Sequence, residues 1–202
     1  MQRIVFLRAL LVIAAMLVAA CASTTLKDSW SDPSYTGGTF KKWFVIGIGG
    51  NAVARRTLED VMVAKLRARG VEAVPSYQYL PDGQAGEQQL DGAVAVSGAD
   101  GLMMVRLRGV QTRTQVTNAY VPGPMMGVGW YGMYSGFYAI PEVNQYQIAT
   151  VETSVFQVYQ KKLVWTGITE TFDPTSIAQE APGFADVILG SLQQRGVVPP
   201  AK

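Results

Sequence analysis

This sequence predicts an α/β (α+β) fold: a single mixed β-sheet with helices packed on it, in the order β-α-β-α-β-β-β-α. Three observations lead there. Strand-length apolar runs alternate with helix-period segments through the first half of the chain. The second half carries three successive strand-like runs, which suits a meander following two crossover units. Of 202 residues, 49% are apolar and 16% charged, enough to build the core of one domain.

The elements follow in order. Trp43-Phe44-Val45-Ile46-Gly47-Ile48 is aromatic and β-branched, the composition of a buried strand. Residues 51–69 read as a helix with Val53, Leu58, Val61, Met62 and Leu66 as its apolar stripe. Arg55 with Glu59, and Arg56 with Asp60, fall at i,i+4 and are expected as exposed pairs. Gly70 ends this helix. Residues 71–77 form a second strand before the turn Pro81-Asp82-Gly83, and residues 87–99 a second helix with Leu90, Ala93, Val94 and Gly98 on one face. In residues 101–117, Met103, Val105 and Leu107 alternate with Met104, Arg106 and Arg108, as in a strand with one buried and one wetter face. Residues 143–159 and 163–172 pair as a hairpin around Gln160-Lys161-Lys162. Residues 183–195 close the fold as a helix, with Phe184, Val187, Ile188 and Leu192 inward and Gly196 as its stop.

The N-terminus carries an address. Arg3 and Arg8 precede or flank an unbroken apolar run at residues 9–20, the pattern of a secretory signal peptide and too short to span a bilayer comfortably. The run ends Val18-Ala19-Ala20-Cys21, which resembles the bacterial lipobox. Small side chains admit a peptidase before Cys21, whose thiol accepts a diacylglyceryl group and whose freed amine accepts an N-acyl chain. Several acyl chains give stable anchoring. Ala22 rather than Asp follows the cysteine, which by the same resemblance implies the outer membrane, facing the periplasm, over the inner membrane. The expected organisation is a signal peptide over 1–20 and a lipidated Cys21 with a polar tether over 21–42. One periplasmic domain spans 43–198, with a Gly- and aromatic-rich loop at 118–142, and a tail covers 199–202.

Composition narrows the function. There is no histidine and a single cysteine, which removes His-dependent catalysis, the usual zinc sites and any intramolecular disulfide. Removing residues 1–20 takes Arg3 and Arg8 from the 17 basic residues, leaving the mature chain balanced at 15 basic and 15 acidic. That gives no footprint for nucleic acid. No cofactor is expected beyond the covalent lipid on Cys21, and no metal.

Three segments could carry chemistry. Gly47-Ile48-Gly49-Gly50-Asn51-Ala52 matches a G-x-G-x-x-A dinucleotide fingerprint, with Glu72 twenty residues beyond Ala52. Glu72 starts its strand, whereas a ribose-binding acid ends one. The reading is therefore a Gly-rich turn with Asn51 as N-cap, able at most to hold a small anion with Arg55. Residues 118–142 hold five Gly, three Pro, three Met and six aromatics with one charge, Glu142. Trp130, Tyr131, Tyr134, Phe137 and Tyr138 supply contact area for a partner, the segment otherwise folding back on its sheet or extending its flanking strands into a ribbon. The acids Asp100, Glu142, Glu152, Glu170 and Asp173 are scattered. Glu152 and Glu170, on the two hairpin strands, are the one candidate hydrolytic pair, against an ordinary solvated strand face. There is no G-x-S-x-G elbow and no S-x-x-K. No catalytic residue is assigned.

Several stretches together resemble small proteobacterial envelope lipoproteins of unassigned activity. They are Arg55-Arg56-Thr57-Leu58-Glu59-Asp60, the run from Leu66 through Gly70 to Tyr77, Gly98-Ala99-Asp100-Gly101, Leu163-Val164-Trp165-Thr166-Gly167, and Thr169 to Pro174. The resemblance covers most of residues 40–196 and implies an envelope lipoprotein. More loosely, the strand-helix order is similar to periplasmic α/β modules of lipoproteins that activate cell-wall synthases or build secretion pores. The expected function is a non-catalytic, lipid-anchored binding or scaffold module. Its expected partners are the membrane and an envelope protein or cell-wall component. The alternatives are an envelope hydrolase using a carboxylate pair, or an assembly or pore accessory subunit.

Overall fold

The computed structural model describes residues 24–80, 86–122, 137–172, 174 and 176–201. Six strands form one mixed sheet: β1 (Thr24–Ser31), β2 (Lys42–Ile48), β3 (Glu72–Pro75), β4 (Gly101–Pro122), β5 (Phe137–Gln157) and β6 (Lys162–Phe172). Their spatial order is β1-β6-β5-β4-β2-β3. β2 runs parallel to β3 and β4, and every other pairing is antiparallel. Three α-helices, α1 (Ala52–Ala68), α2 (Glu87–Ser97) and α3 (Ile177–Gln194), pack on this sheet. The expected α+β architecture holds, with one strand added at the N-terminus.

β2 is buried on both faces because helices cover both. Trp43 and Val45 face α1 and α3 in the main core, with Met62, Leu66, Met103, Val105, Trp165, Ile188 and Leu192. Phe44 and Ile46 face α2 in a smaller cluster with Ala93 and Val94. This two-sided burial is why β2 reads as a continuous apolar run rather than an alternation. α1 and α3 lie side by side, joined at their surface by Lys65 and Asp186 at 2.8 Å.

The helix ends obey local chemistry. Asn51 caps α1, its side chain accepting from the Ala54 N–H at 2.8 Å. Beyond α1, Gly70 takes the left-handed conformation and its N–H returns to the Arg67 carbonyl. α3 begins earlier than expected, at Ile177, where the Ser176 side chain accepts from the Gln179 N–H. Pro182 lies inside it, within the early turns, and the helix runs on. Sequence alone favours starting the helix after such a residue.

Other expectations need correction. Part of the polar tether expected over 21–42 is ordered structure: Thr24–Ser31 is the edge strand β1. Phe40 is buried against Trp43. A bulge between Leu26 and Asp28 and the charges of Lys27 and Asp28 protect that edge from further pairing. Val53, expected in the apolar stripe, is 73% exposed. The second strand ends at Pro75 and continues as a 3₁₀ turn over Ser76–Gln78. Arg55 and Glu59, expected on the exposed side of α1, are buried.

One ion pair clips the segment after β1 to β6. Asp32 meets Lys162 and also accepts from the Ser34 N–H and hydroxyl. The Lys162 hydrogen bond, helped by Ser34, holds its carboxyl down at about 2, from an ordinary 3.8. A carboxyl depressed in the folded state stabilises it above the ordinary value, and that contribution disappears as pH falls towards about 2. Asp32→Asn is therefore expected to lower the melting temperature at neutral pH, with the gap to wild type closing below the ordinary carboxyl range. A gap independent of pH, followed by circular dichroism, would contradict this.

Candidate functional site

The sheet has one end where several elements finish together. β2 ends there, α1 and α3 begin there, β6 ends there and β1 begins there. Two features are built at this end: a cavity and an arm.

The cavity has a volume of about 340 Å³. Its walls come from the Gly47–Gly50 turn, from Ala54 and Leu58 on α1, and from Ile177, Ala181 and Phe184 on α3. Its floor is the sheet face carrying Val105, Ala149 and Val151. Gln147, Thr171, Ser176 and Glu180 are the polar residues on the sheet and α3 side. The space sits outside the carboxyl end of β2, beside the parallel pair β2–β4. In α/β sheets this is where ligands gather, because connections leave neighbouring strands in opposite directions.

Beneath the turn lies a buried polar cluster. Glu59 is fully buried and accepts from the Gly47 N–H at 2.9 Å, the Ser76 hydroxyl at 2.7 Å and the Tyr77 N–H at 3.2 Å. The Arg55 guanidinium lies 3.9 Å from the same carboxylate and donates to the Leu80 carbonyl at 3.2 Å. A Cβ on Gly47 would stand 3.1 Å from Arg55 Cγ, so glycine lets α1 cross the strand end closely. Gly49 and Gly50 both have positive φ. The three glycines thus serve a tight turn over a charged cluster. The nucleotide-like pattern has this local cause. The small-anion expectation fails as well, because the Arg55 guanidinium is turned inward beside a carboxylate.

The arm is the outer part of the β4–β5 hairpin. The two strands pair without a break in partners from Gly109↔Thr150 to Pro122↔Phe137. β2 leaves the sheet at Ile48↔Arg106 and β6 at Phe172↔Ile148. Among the described residues, 112–122 and 137–147 therefore pair only with each other, over a length of about 35 Å. Val110 and Val143 are exposed. No charged residue occurs between Arg113 and Glu142. The expected loop at 118–142 is strand at both ends, extending the flanking strands as the ribbon alternative foresaw.

The sequence-derived candidates separate accordingly. Phe137 and Tyr138 lie in β5, opposite Pro122 and Val121. Trp130, Tyr131 and Tyr134 lie outside the described residues, as does Cys21. Glu152 and Glu170 share one face of adjacent strands, but each has a cation. Arg108 stands 3.2 Å from Glu152 and Lys27 3.3 Å from Glu170. All four are partly exposed on the open face, so the two acids form a cross-strand charge ladder and do not line the cavity. Sequence reasoning missed Glu59 as a structural anchor. The signal was present: Arg55, Glu59, Met62 and Leu66 fall at i, i+4, i+7 and i+11, one helical stripe.

The fold and site define a mixed α+β module with an apolar cavity and a projecting ribbon. Among the described residues no group of acids, Cys or His is arranged to hold a metal, and no helix is long and apolar enough to cross a membrane. No protein-family model and no curated protein sequence matches the chain. Solved structures do show similarity. One is the PelC dodecamer from Paraburkholderia phytofirmans, at 13% identity and a TM-score of 0.46, covering 88% of this chain and 99% of that one. Another is lipoprotein GNA1162 from Neisseria meningitidis, at 8% identity and a TM-score of 0.42, covering 76% and 98%.

Proposed function

We propose that this protein is a lipid-anchored envelope lipoprotein acting as a non-catalytic binding module, held through acyl chains on Cys21 at the periplasmic face of the outer membrane. The single observation that carries the binding role is the arm. A two-stranded ribbon alone is marginal in water, so its outer half gains stability only by covering itself with something else. The absence of charge between Arg113 and Glu142 suits contact with a protein or cell-wall surface rather than free exposure. The sorting and the anchor rest on the signal peptide, on Cys21 and on Ala22. Glu152 and Glu170, each held by a cation on an open strand face, give the hydrolase alternative no support. The ribbon's unpaired edges favour a second reading, an assembly subunit, for which ring-sized oligomers in detergent would speak.

Two measurements test the proposal. Metabolic labelling with an alkyne fatty acid is expected to tag the wild-type protein and to leave Cys21→Ala untagged. In-cell crosslinking is then compared between wild type and a variant in which residues 114–142 are replaced by Asn-Gly, at equal membrane levels. The expected result is a specific crosslinked partner that disappears with the arm. An unchanged partner set would rule out the arm as the binding element, and an untagged wild type would rule out the anchor.

A further inference from the structure

We infer that the cavity between α1, α3 and the sheet is a binding site for one alkyl chain of a membrane lipid. The lining says what it excludes and what it takes. Leu58, Val105, Val151, Ile177, Ala181 and Phe184 surround the space. Two charged residues also line it, Arg55 and Glu180; Arg55 is turned into the Glu59 cluster, and Glu180 stands on the first turn of α3. A sugar, peptide or nucleotide needs several converging donors and acceptors. Here the lining is mostly carbon, and of its polar side chains Thr171 is engaged with Thr24 and Arg55 with the Glu59 cluster, with Gln147, Ser176 and Glu180 beside the apolar surface. An apolar cavity of about 150 Å³ stays dry and takes benzene, so one of about 340 Å³ accommodates an alkyl chain of roughly a dozen carbons.

Position supplies the source. Thr24, the first described residue, hydrogen-bonds through its hydroxyl to the hydroxyl of Thr171 at 2.8 Å, and Thr171 lines the cavity. Cys21 is three residues before Thr24, and three residues reach at most about 10 Å. With Thr24–Ser31 tied into the sheet, only Ala22 and Ser23 stand in sequence between Cys21 and the first strand, in place of the tether expected over 21–42. A lipid on Cys21 thus brings the cavity end of the domain against the bilayer surface. The chain entering the cavity then comes either from Cys21 itself or from a neighbouring phospholipid. The polar rim of Gln147, Ser176 and Glu180 stays at the headgroup level. The inference rests on the membrane-anchored reading for the source of the chain, and on the cavity alone for its chemistry.

The test is made in cells on the full chain. Cells are fed a fatty acid carrying a diazirine and an alkyne, irradiated, and the protein's crosslinked peptides are mapped by mass spectrometry. Wild type is expected to crosslink within the peptides carrying Leu58 and Phe184. Ala181→Phe, which fills the cavity, is expected to lower those crosslinks at least about tenfold. Ala54→Phe at the rim is the second filling variant, should the first fail to melt cooperatively. In Cys21→Ala held at the same membrane by an added N-terminal transmembrane helix, cavity crosslinks that persist assign the chain to a neighbouring lipid, and crosslinks that vanish assign it to Cys21. Either supports the alkyl site. A wild type tagged at Cys21 but without cavity crosslinks overturns the site and leaves the anchor standing. Cavity crosslinks in a wild type untagged at Cys21 overturn the anchor and leave the site. Crosslinks unchanged in a folded filling variant overturn the site.

Discussion

Glu59→Ala is expected to lower the unfolding free energy by about 3–5 kcal/mol, a large share of what a domain of this size possesses. The magnitude follows from what the substitution leaves behind. The Gly47 N–H, the Ser76 hydroxyl and the Tyr77 N–H all lose their acceptor, and each sits where water does not reach freely. The Arg55 guanidinium, itself buried, loses the carboxylate beside it. Replacing the pair together by apolar residues of similar volume, as in Arg55→Met with Glu59→Leu, is expected to recover only part of the loss. The two backbone N–H groups and Ser76 would remain unpaired even though the buried charge is gone. Glu59→Gln keeps one acceptor oxygen and is expected to fall between wild type and Glu59→Ala. Urea unfolding followed by tryptophan fluorescence measures all three. A loss below about 1 kcal/mol for Glu59→Ala would mean that the cluster is open to water and that the cavity wall it supports is soft.

The same cluster explains what sequence could and could not say. The helix around Glu59 was legible from its period, and the buried strand before it from its aromatic and β-branched run. The polarity of the cluster hid its place. Charges at i,i+4 on a helix are nearly always surface pairs, and only their alignment with Met62 and Leu66 marks them as inward. β1 was hidden for a related reason. Its sequence, Thr-Thr-Leu-Lys-Asp-Ser-Trp-Ser, is polar because an edge strand buries little and benefits from charge. The arm was half legible: alternation carried the strands to Thr117 and from Val143, and Gly and Pro density obscured their continuation to Pro122 and from Phe137. The cavity left no local signal at all. Its walls join the 47–50 turn, the β4–β5 floor and the first turns of α3, more than a hundred residues apart, and no pattern within a window reports that they meet.

Trp165 and Gly167 give the second large effect and a sharper test of packing. Trp165 is fully buried in the main core, with Ile188, Leu189 and Leu192 of α3 in the same cluster. Trp165→Ala is expected to cost about 3–5 kcal/mol, the transfer loss of a large aromatic plus the cavity it vacates. Two residues along β6, on the same face, Gly167 makes room for the indole. A Cβ there would lie 2.4 Å from Trp165 Cη2 and 2.7 Å from Cζ2, with Leu26 Cδ1 at 3.1 Å. The ring has nowhere to go, because the core encloses it. Gly167→Ala is therefore expected to cost about 1–3 kcal/mol through displacement of the ring. The two effects share one cause and should not add. In the double variant the methyl added by Gly167→Ala enters space the indole no longer occupies, so the combined loss falls short of the sum by about 0.5–3 kcal/mol. Urea unfolding of the four proteins closes the cycle. Additivity to within about 0.5 kcal/mol would show that the strand, not the ring, yields when Gly167 is replaced. In that case the damage would spread along β6 to β1, its only partner on that side, and from there to Thr24, where the chain is expected to meet the membrane.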